Sequence, residues 1–255
     1  MADGAFVKRS CGFLLGLLLA AAPGLSSADE IRVATASNFR ETMTVLAHSF
    51  EAQTGHRVTP IFGSTGKHFA QIINGAPFDA FFAADSKRPM RLEKEGRVVA
   101  GSRFTYARGK LVLWSPTAAY VDREGEILRS GNFRHLAMAN PGLAPYGAAA
   151  REVLKALGLW QELEGRVVLG ENVGQAFLFT SSGNAELGFV AESQMVRREL
   201  SGEGSFWPVP DTLYHPIEQQ AVLLQDNEAS RAFMSFIRSI DAARIIRTHG
   251  YEIAE

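Results

Sequence analysis

The sequence predicts an α/β fold in which short buried strands alternate with helices. The first observation is a series of short, almost wholly apolar runs, such as residues 78–84, each bounded by glycine, proline or polar residues. The second is helical spacing of the apolar residues that follow such a run, as at Phe39, Met43, Leu46 and Phe50. Strands that are apolar on both faces and lead into helices are typical of parallel sheets covered by helices.

The predicted elements follow one another along the whole chain after its first thirty or so residues. Strands are predicted at residues 31–36, 56–62, 78–84, 110–114, 135–138, 166–169, 187–190 and 219–224. Helices are predicted at residues 39–50, 67–73, 148–157, 175–179, 233–240 and 242–246. Thr54 and Gly55 end the first helix, and the Gly-Ala-Pro sequence at 75–77 separates the second helix from the third strand.

The N-terminal residues predict a secretory signal peptide at residues 1–28. Lys8 and Arg9 form a short basic region, an apolar run follows at 13–22, and small residues precede a cleavage point after Ala28. The apolar run is shorter than a membrane-spanning helix requires. We therefore expect export to the periplasm and removal of this segment.

Composition counts against several classes of function. The only cysteine, Cys11, lies in the predicted signal peptide, so we expect neither disulfides nor thiol chemistry in the mature chain. The net charge is −1 and no stretch is strongly basic, which disfavours nucleic acid as a partner. The six histidines lack metal-ligand spacing, so we interpret them as surface or capping residues and expect no metal ion held directly by side chains.

Four predicted strand–helix junctions carry small or polar residues and neither lysine nor arginine. They are residues 35–38, 63–66, 141–147 and 171–174. In parallel α/β sheets, ligands bind where strands end and helices begin. A helix N-terminus offers free backbone N–H groups and about half a positive charge to an anion. Four such termini around one point would suit a dianion, although ordinary helix capping explains each junction taken alone.

The same junctions offer almost no acceptor for a proton on the ligand, since Glu171 is their one carboxylate. Phosphate retains a proton at neutral pH that a dedicated site would accept, whereas sulfate and molybdate retain none. A site made of donors alone therefore favours fully deprotonated oxyanions.

These junctions, taken in order, resemble those of the ModA-type molybdate-binding proteins of ABC transporters. The matching stretches cover nearly the whole predicted mature chain and are residues 33–39, 62–66, 71–77, 81–85, 140–147, 171–174 and 187–190. The resemblance implies a two-lobed type II periplasmic-binding-protein fold, in which two α/β lobes are joined by two crossover strands. It implies that lobe 1 comprises residues 29–108 and 215–255 and that lobe 2 comprises residues 109–214.

The resemblance also implies which residues bind the ligand, molybdate or tungstate, in the cleft between the lobes: Ser37, Asn38, Ser64, Thr65, Tyr146 and, through its backbone N–H, Val173. Some members of the family place a tyrosine ligand after the strand that corresponds to residues 187–190, where this chain has Ala191. The resemblance assigns the missing hydroxyl to Tyr146 instead.

The expected function is capture of molybdate or tungstate and its delivery to the membrane permease of an ABC importer. A receptor for sulfate or another oxyanion remains an alternative, and an exported α/β hydrolase is a more distant one. A hydrolase needs a nucleophile and a base, and the junctions contain no histidine, His68 being the nearest. We therefore expect a monomeric, non-catalytic protein without a cofactor.

Overall fold

The computed structural model describes residues 1–2, 29–196 and 203–253. The predicted signal peptide at residues 1–28 lies outside these described residues except for its first two. Within them, ten strands form two sheets of five. The strands are β1 Glu30–Ala36, β2 Arg57–Gly63, β3 Ala80–Ala83, β4 Phe104–Gly109, β5 Leu111–Ser115, β6 Leu136–Ala139, β7 Val167–Gly170, β8 Leu187–Ala191, β9 Ser205–Pro208 and β10 Ile217–Leu223.

Helices connect most of these strands. The described α-helices are α1 Arg40–Thr54, α2 Thr65–Ile73, α3 Lys87–Lys94, α4 Ile127–Ser130, α5 Pro145–Ala156, α6 Trp160–Leu163, α7 Val173–Ser181, α8 Glu228–Ile237 and α9 Ile240–Thr248. Short 3₁₀ turns occur at Ser37–Phe39, Glu164–Arg166, Glu192–Gln194 and Asp211–Leu213. The predicted α/β class is therefore confirmed.

Each sheet forms the centre of one lobe. The first sheet has the strand order β2-β1-β3-β10-β4 and the second has the order β7-β6-β8-β5-β9. The chain crosses from the first sheet to the second between β4 and β5, where Lys110 alone separates the strands, and it returns between β9 and β10. Two crossings join the lobes, as expected.

The prediction of purely parallel sheets is wrong, because each sheet contains one reversed strand. β10 pairs antiparallel with β3 and β4, and β5 pairs antiparallel with β8 and β9. Both reversed strands directly follow a crossing between the lobes. Within a lobe, a connecting helix carries the chain back to the end of the sheet where its parallel strands begin. A chain that arrives from the other lobe enters at the end where those strands finish, so its strand runs in the opposite direction.

Aromatic and aliphatic side chains fill both lobes. Phe81 and Phe82, neighbours on β3, are fully buried on opposite faces of the first sheet. Trp114 and Phe189 are buried on the strands of the second sheet. Burial of one such side chain contributes about 1.5–3 kcal/mol to folding. These cores fix the strand ends, and therefore the junctions, in place.

Candidate ligand-binding cleft

The two junctions of the first lobe lie side by side. β1 and β2 are parallel neighbours, and their last residues, Ala36 and Gly63, are paired across the sheet. The 3₁₀ turn that begins at Ser37 is therefore next to the start of α2. Ser64 caps α2, because its Oγ accepts a hydrogen bond of 3.3 Å from the backbone N–H of Lys67.

Thr65 is the first residue of α2 and is almost completely buried. Its Oγ1 accepts a 3.0 Å hydrogen bond from the backbone N–H of Ala84, which follows β3. The hydroxyl proton of Thr65 remains available to another acceptor, because the bond to Ala84 uses only the oxygen. The backbone N–H of Thr65 also lacks an acceptor within its own helix.

The two junctions of the second lobe repeat this arrangement. β6 and β7 are parallel neighbours, with Ala139 paired to Gly170. Tyr146 is the second residue of α5, and Val173 is the first residue of α7, which Asn172 caps. The N–H groups of Tyr146 and Val173 therefore belong to first helical turns and have no acceptor within their helices.

Hydrogen bonds across the cleft bring the junctions of the two lobes together. The Gly174 N–H lies 3.3 Å from Ser37 Oγ, and the Gly66 N–H donates to the Leu143 carbonyl at 2.8 Å. Lys67, directly after the second junction, forms an ion pair of 2.9 Å through its Nζ with Glu171 Oε2 of the fourth junction. The lobes are thus closed on one another.

A side chain outside the junctions, that of Gln219, links the first junction to the third. Gln219 on β10 accepts a 2.8 Å hydrogen bond from Asn38 Nδ2 through its Oε1, and its Nε2 donates to the Tyr146 hydroxyl at 3.3 Å. All six residues predicted to bind the ligand are buried around the place where the four junctions meet: Ser37, Asn38, Ser64, Thr65, Tyr146 and Val173.

Two of these side chains have partners that the sequence does not reveal. Asn38 Nδ2 donates to Gln219 and also to the Tyr251 hydroxyl at 2.9 Å, so both amide hydrogens are used within the protein. The Tyr146 hydroxyl accepts from Gln219, and burial raises the pKa of this phenol well above its ordinary value. The backbone N–H groups of Asn38 and Tyr146 remain for a ligand.

Three further residues of the cleft were not predicted from the sequence. Gln219 and Tyr251 stand far along the chain from the junctions, so no local pattern indicates them. The third is Arg88, which pairs with Asp85 and donates from Nη2 to the Gly142 carbonyl of the second lobe at 3.1 Å. The spacing of Asp85 and Arg88 at the start of α3 is the one signal that could have suggested this pair.

His68 is buried, so the interpretation of all six histidines as surface or capping residues is wrong for this one. Its Nε2 lies 3.2 Å from the Thr35 carbonyl at the end of β1, which ties α2 to the neighbouring junction. Burial is the largest influence on the ring and lowers its pKa below the ordinary value of 6.5. A neutral ring can donate to Thr35 without placing a charge beneath the cleft.

A groove beside the junctions extends the cleft to the surface. It has a volume of about 780 Å³ and is lined by both lobes, including Gly66 and Arg88 from the first and Leu143 and Arg151 from the second. Acidic residues of the groove, among them Asp85, which pairs with Arg88, balance much of the positive charge of Arg88, Arg151 and the other basic residues that line it.

Comparison with known proteins identifies the family. A family model described as bacterial extracellular solute-binding protein matches residues 31–252. The molybdate-binding protein ModA of Azotobacter vinelandii is 49% identical over 239 residues, which covers 92% of this chain and 93% of that protein. The chain belongs to the ModA-type family of solute-binding proteins. ModA of Rhodobacter capsulatus is 45% identical over 241 residues, covering 93% of this chain and 92% of its own length.

Structural comparison places the fold in the same ModA-type family. The periplasmic molybdate-binding protein of Azotobacter vinelandii superposes with a TM-score of 0.85 at 44% identity, covering 88% of this chain and all of that chain. The predicted two-lobed type II fold is thereby confirmed. Across residues 29–196 and 203–253, no cluster of three or more histidine, cysteine or acidic side chains could hold a metal ion. No helix in the same described stretches has the length and apolar character to cross a membrane.

Proposed function

We propose that the chain binds molybdate or tungstate in the cleft between its lobes and delivers it to the membrane permease of an ABC importer. The observation that carries this proposal is the meeting of four helix or 3₁₀ starts across the closed cleft, joined by the bonds of Gly174 to Ser37 and of Gly66 to Leu143. Two relatives that share nearly half of its residues are molybdate-binding proteins by name, which supports the same ligand here.

The proposed ligand contacts are the donors that this arrangement leaves free. They are the hydroxyls of Ser37, Ser64 and Thr65 and the backbone N–H groups of Asn38, Thr65, Tyr146 and Val173. Hydrogen bonds to a charged group contribute about 1.5–3 kcal/mol each before association and closure are subtracted. Several together are sufficient for tight binding of a dianion.

Neutral donors suit this ligand better than cations would. Helix N-termini present partial positive charge in fixed directions, and they need no reorganisation when the anion enters. Two cations beside the junctions are already neutralised, since Lys67 pairs with Glu171 and Arg88 pairs with Asp85. The cleft therefore favours an ion that accepts hydrogen bonds at every oxygen and donates none.

The remaining expectations belong to the same proposal. Residues 1–28 would direct the chain to the periplasm and be removed. Lobe 1 would comprise residues 29–108 and 215–255, and lobe 2 residues 109–214, with closure of the lobes around the ion producing the shape that the permease binds. The protein would act as a monomer, without a cofactor and without catalysing a reaction.

Isothermal titration calorimetry on the mature protein tests the ligand. The proposal expects molybdate and tungstate to bind with dissociation constants in the nanomolar to micromolar range, sulfate to bind much more weakly and phosphate not to bind. Sulfate binding tighter than molybdate would assign the cleft to the smaller oxyanion. Tight phosphate binding, or no response to any of the four ions, would overturn the proposal.

A further inference from the structure

Gln219 is a fully buried amide at the place where the chain returns from the second lobe to the first. It lies on β10, next to an irregularity in the pairing of β10 with β4 between Gln219 and Gln220. Buried amides are costly unless their hydrogen-bonding groups are satisfied. The partners of Gln219 therefore indicate why a polar side chain occupies this position.

The amide of Gln219 joins one proposed ligand-binding residue from each lobe. Its Oε1 accepts from Asn38 Nδ2 at 2.8 Å and lies 3.0 Å from the Tyr106 hydroxyl, both in the first lobe. Its Nε2 donates to the Tyr146 hydroxyl in the second lobe at 3.3 Å. In this closed arrangement both sets of bonds form at once, so the amide of Gln219 spans the two lobes.

A second link between the lobes starts from the same asparagine. The Tyr251 hydroxyl accepts from Asn38 Nδ2, and it lies 2.9 Å from the Asn38 carbonyl oxygen and 3.0 Å from Ser193 Oγ of the second lobe. Asn38 is thus held by two groups that each reach across the cleft. Its backbone position, and the direction of its N–H, depend on these bonds.

Gly109 makes the approach of Gln219 and Tyr146 possible. It is the last residue of β4, directly before the first crossing between the lobes. A methyl group at this position would lie 2.0 Å from the Tyr146 hydroxyl oxygen and 2.6 Å from Gln219 Nε2. Both distances are far shorter than a van der Waals contact, so a side chain here would push the two groups apart.

We propose that Gln219 is a positioning residue that couples closure of the lobes to ligand binding. Its amide, in the space that Gly109 leaves, holds the Tyr146 hydroxyl and the Asn38 side chain in the closed arrangement. Gln219 does not touch the ligand, and the Tyr146 hydroxyl acts through Gln219 instead of through the ligand. Loss of the amide lowers the population of the closed form, so apparent affinity falls with it. This inference rests on the proposed oxyanion function.

A double-mutant cycle tests the coupling, with molybdate as the probe. Gln219→Met keeps the length of the side chain and removes its hydrogen bonds, while Tyr146→Phe removes only the hydroxyl. Each single variant is expected to weaken molybdate binding about 5- to 50-fold. The double variant is expected to bind no more weakly than the single variant with the larger effect. Effects that multiply in the double variant would show that the Tyr146 hydroxyl acts independently of Gln219, and this result would overturn the inference.

Small-angle X-ray scattering distinguishes closure from a general loss of stability. With molybdate in large excess over the dissociation constants of both proteins, Gln219→Met is expected to show a larger radius of gyration than wild type, because part of its liganded population stays open. A variant that melts earlier yet binds and closes as wild type does would give Gln219 a purely structural role and refute the inference. If wild-type protein itself fails to bind molybdate, the proposed function fails instead.

A glycine pair provides a second test that does not depend on Gln219 variants folding well. Gly109→Ala is expected to weaken molybdate binding at least about tenfold, because the added methyl group separates Tyr146 from Gln219. Gly165→Ala is the matched control, since nothing lies within 4 Å of a methyl group there. Equal affinities of the two variants would contradict the proposed role of Gly109 and Gln219.

Discussion

The hydroxyl of Thr65 has two roles that one substitution affects together. Its oxygen accepts the hydrogen bond from the Ala84 N–H, and its proton is proposed to bind the anion. Thr65→Ala leaves the buried Ala84 N–H without an acceptor, which is expected to lower the free energy of unfolding by about 1–3 kcal/mol. For a chain of this size, that loss corresponds to a melting temperature about 2–12 °C lower without ligand.

The same substitution removes a donor to the ion. A hydrogen bond to a charged group contributes about 1.5–3 kcal/mol, so the dissociation constant for molybdate is expected to rise about 10- to 150-fold. Differential scanning calorimetry of the unliganded protein measures the first effect, and isothermal titration calorimetry measures the second.

Thr65→Ser is the matched control, because it keeps the hydroxyl and removes only a methyl group. We expect it to bind molybdate within about fivefold of wild type and to retain most of the stability that Thr65→Ala loses. If Thr65→Ala binds molybdate as tightly as Thr65→Ser, the hydroxyl is not a ligand contact. If the two melt at the same temperature, the bond to Ala84 does not contribute to stability.

Two further predictions concern the neighbours of Thr65. Lys67→Met breaks the exposed ion pair with Glu171 across the cleft, so molybdate should dissociate about 1.5- to 5-fold faster in stopped-flow measurements at low salt. Lys94→Met, at an exposed position on α3, is the control and should leave the rate unchanged. Equal rates for both variants would show that the ion pair does not help to hold the lobes closed. Burial lowers the pKa of His68 in the folded state, so the unfolded chain binds more protons than the folded protein once the pH approaches 6.5 from above. The free energy of unfolding therefore decreases as the pH is lowered through and below 6.5. Urea unfolding between pH 7.5 and 5 should show a shallower loss for His68→Gln, and an unchanged slope would refute this cause.

The sequence predicts the elements of the site better than it predicts their partners. The four junctions could be found because apolar strands and the polar residues after them are local patterns, and parallel pairing of β1 with β2 then places Ser37 beside Ser64. The meeting of Ser37 with Gly174 across the cleft depends on how two lobes pack, which no local pattern contains. Resemblance to the family supplied that arrangement.

Elements near the crossings were the least predictable. β4 ends in Tyr106-Ala-Arg-Gly109 and β9 is Ser205–Pro208, and neither has the apolar run or the strict alternation that identifies a strand. Both are edge strands that form by pairing with β10 and β5. The role of Gln219 is hidden for a related reason, since 181 residues separate it from Asn38. Its partners become visible only when the lobes are closed.

Anomalous diffraction at the molybdenum edge, from crystals grown with molybdate, tests the central claim most directly. We expect one strong peak enclosed by the four junctions, with oxyanion oxygens about 2.7–3.2 Å from Thr65 Oγ1 and from the backbone nitrogen of Val173. A peak confined to the groove beside Arg88 or to the protein surface, with the junctions empty, would contradict it.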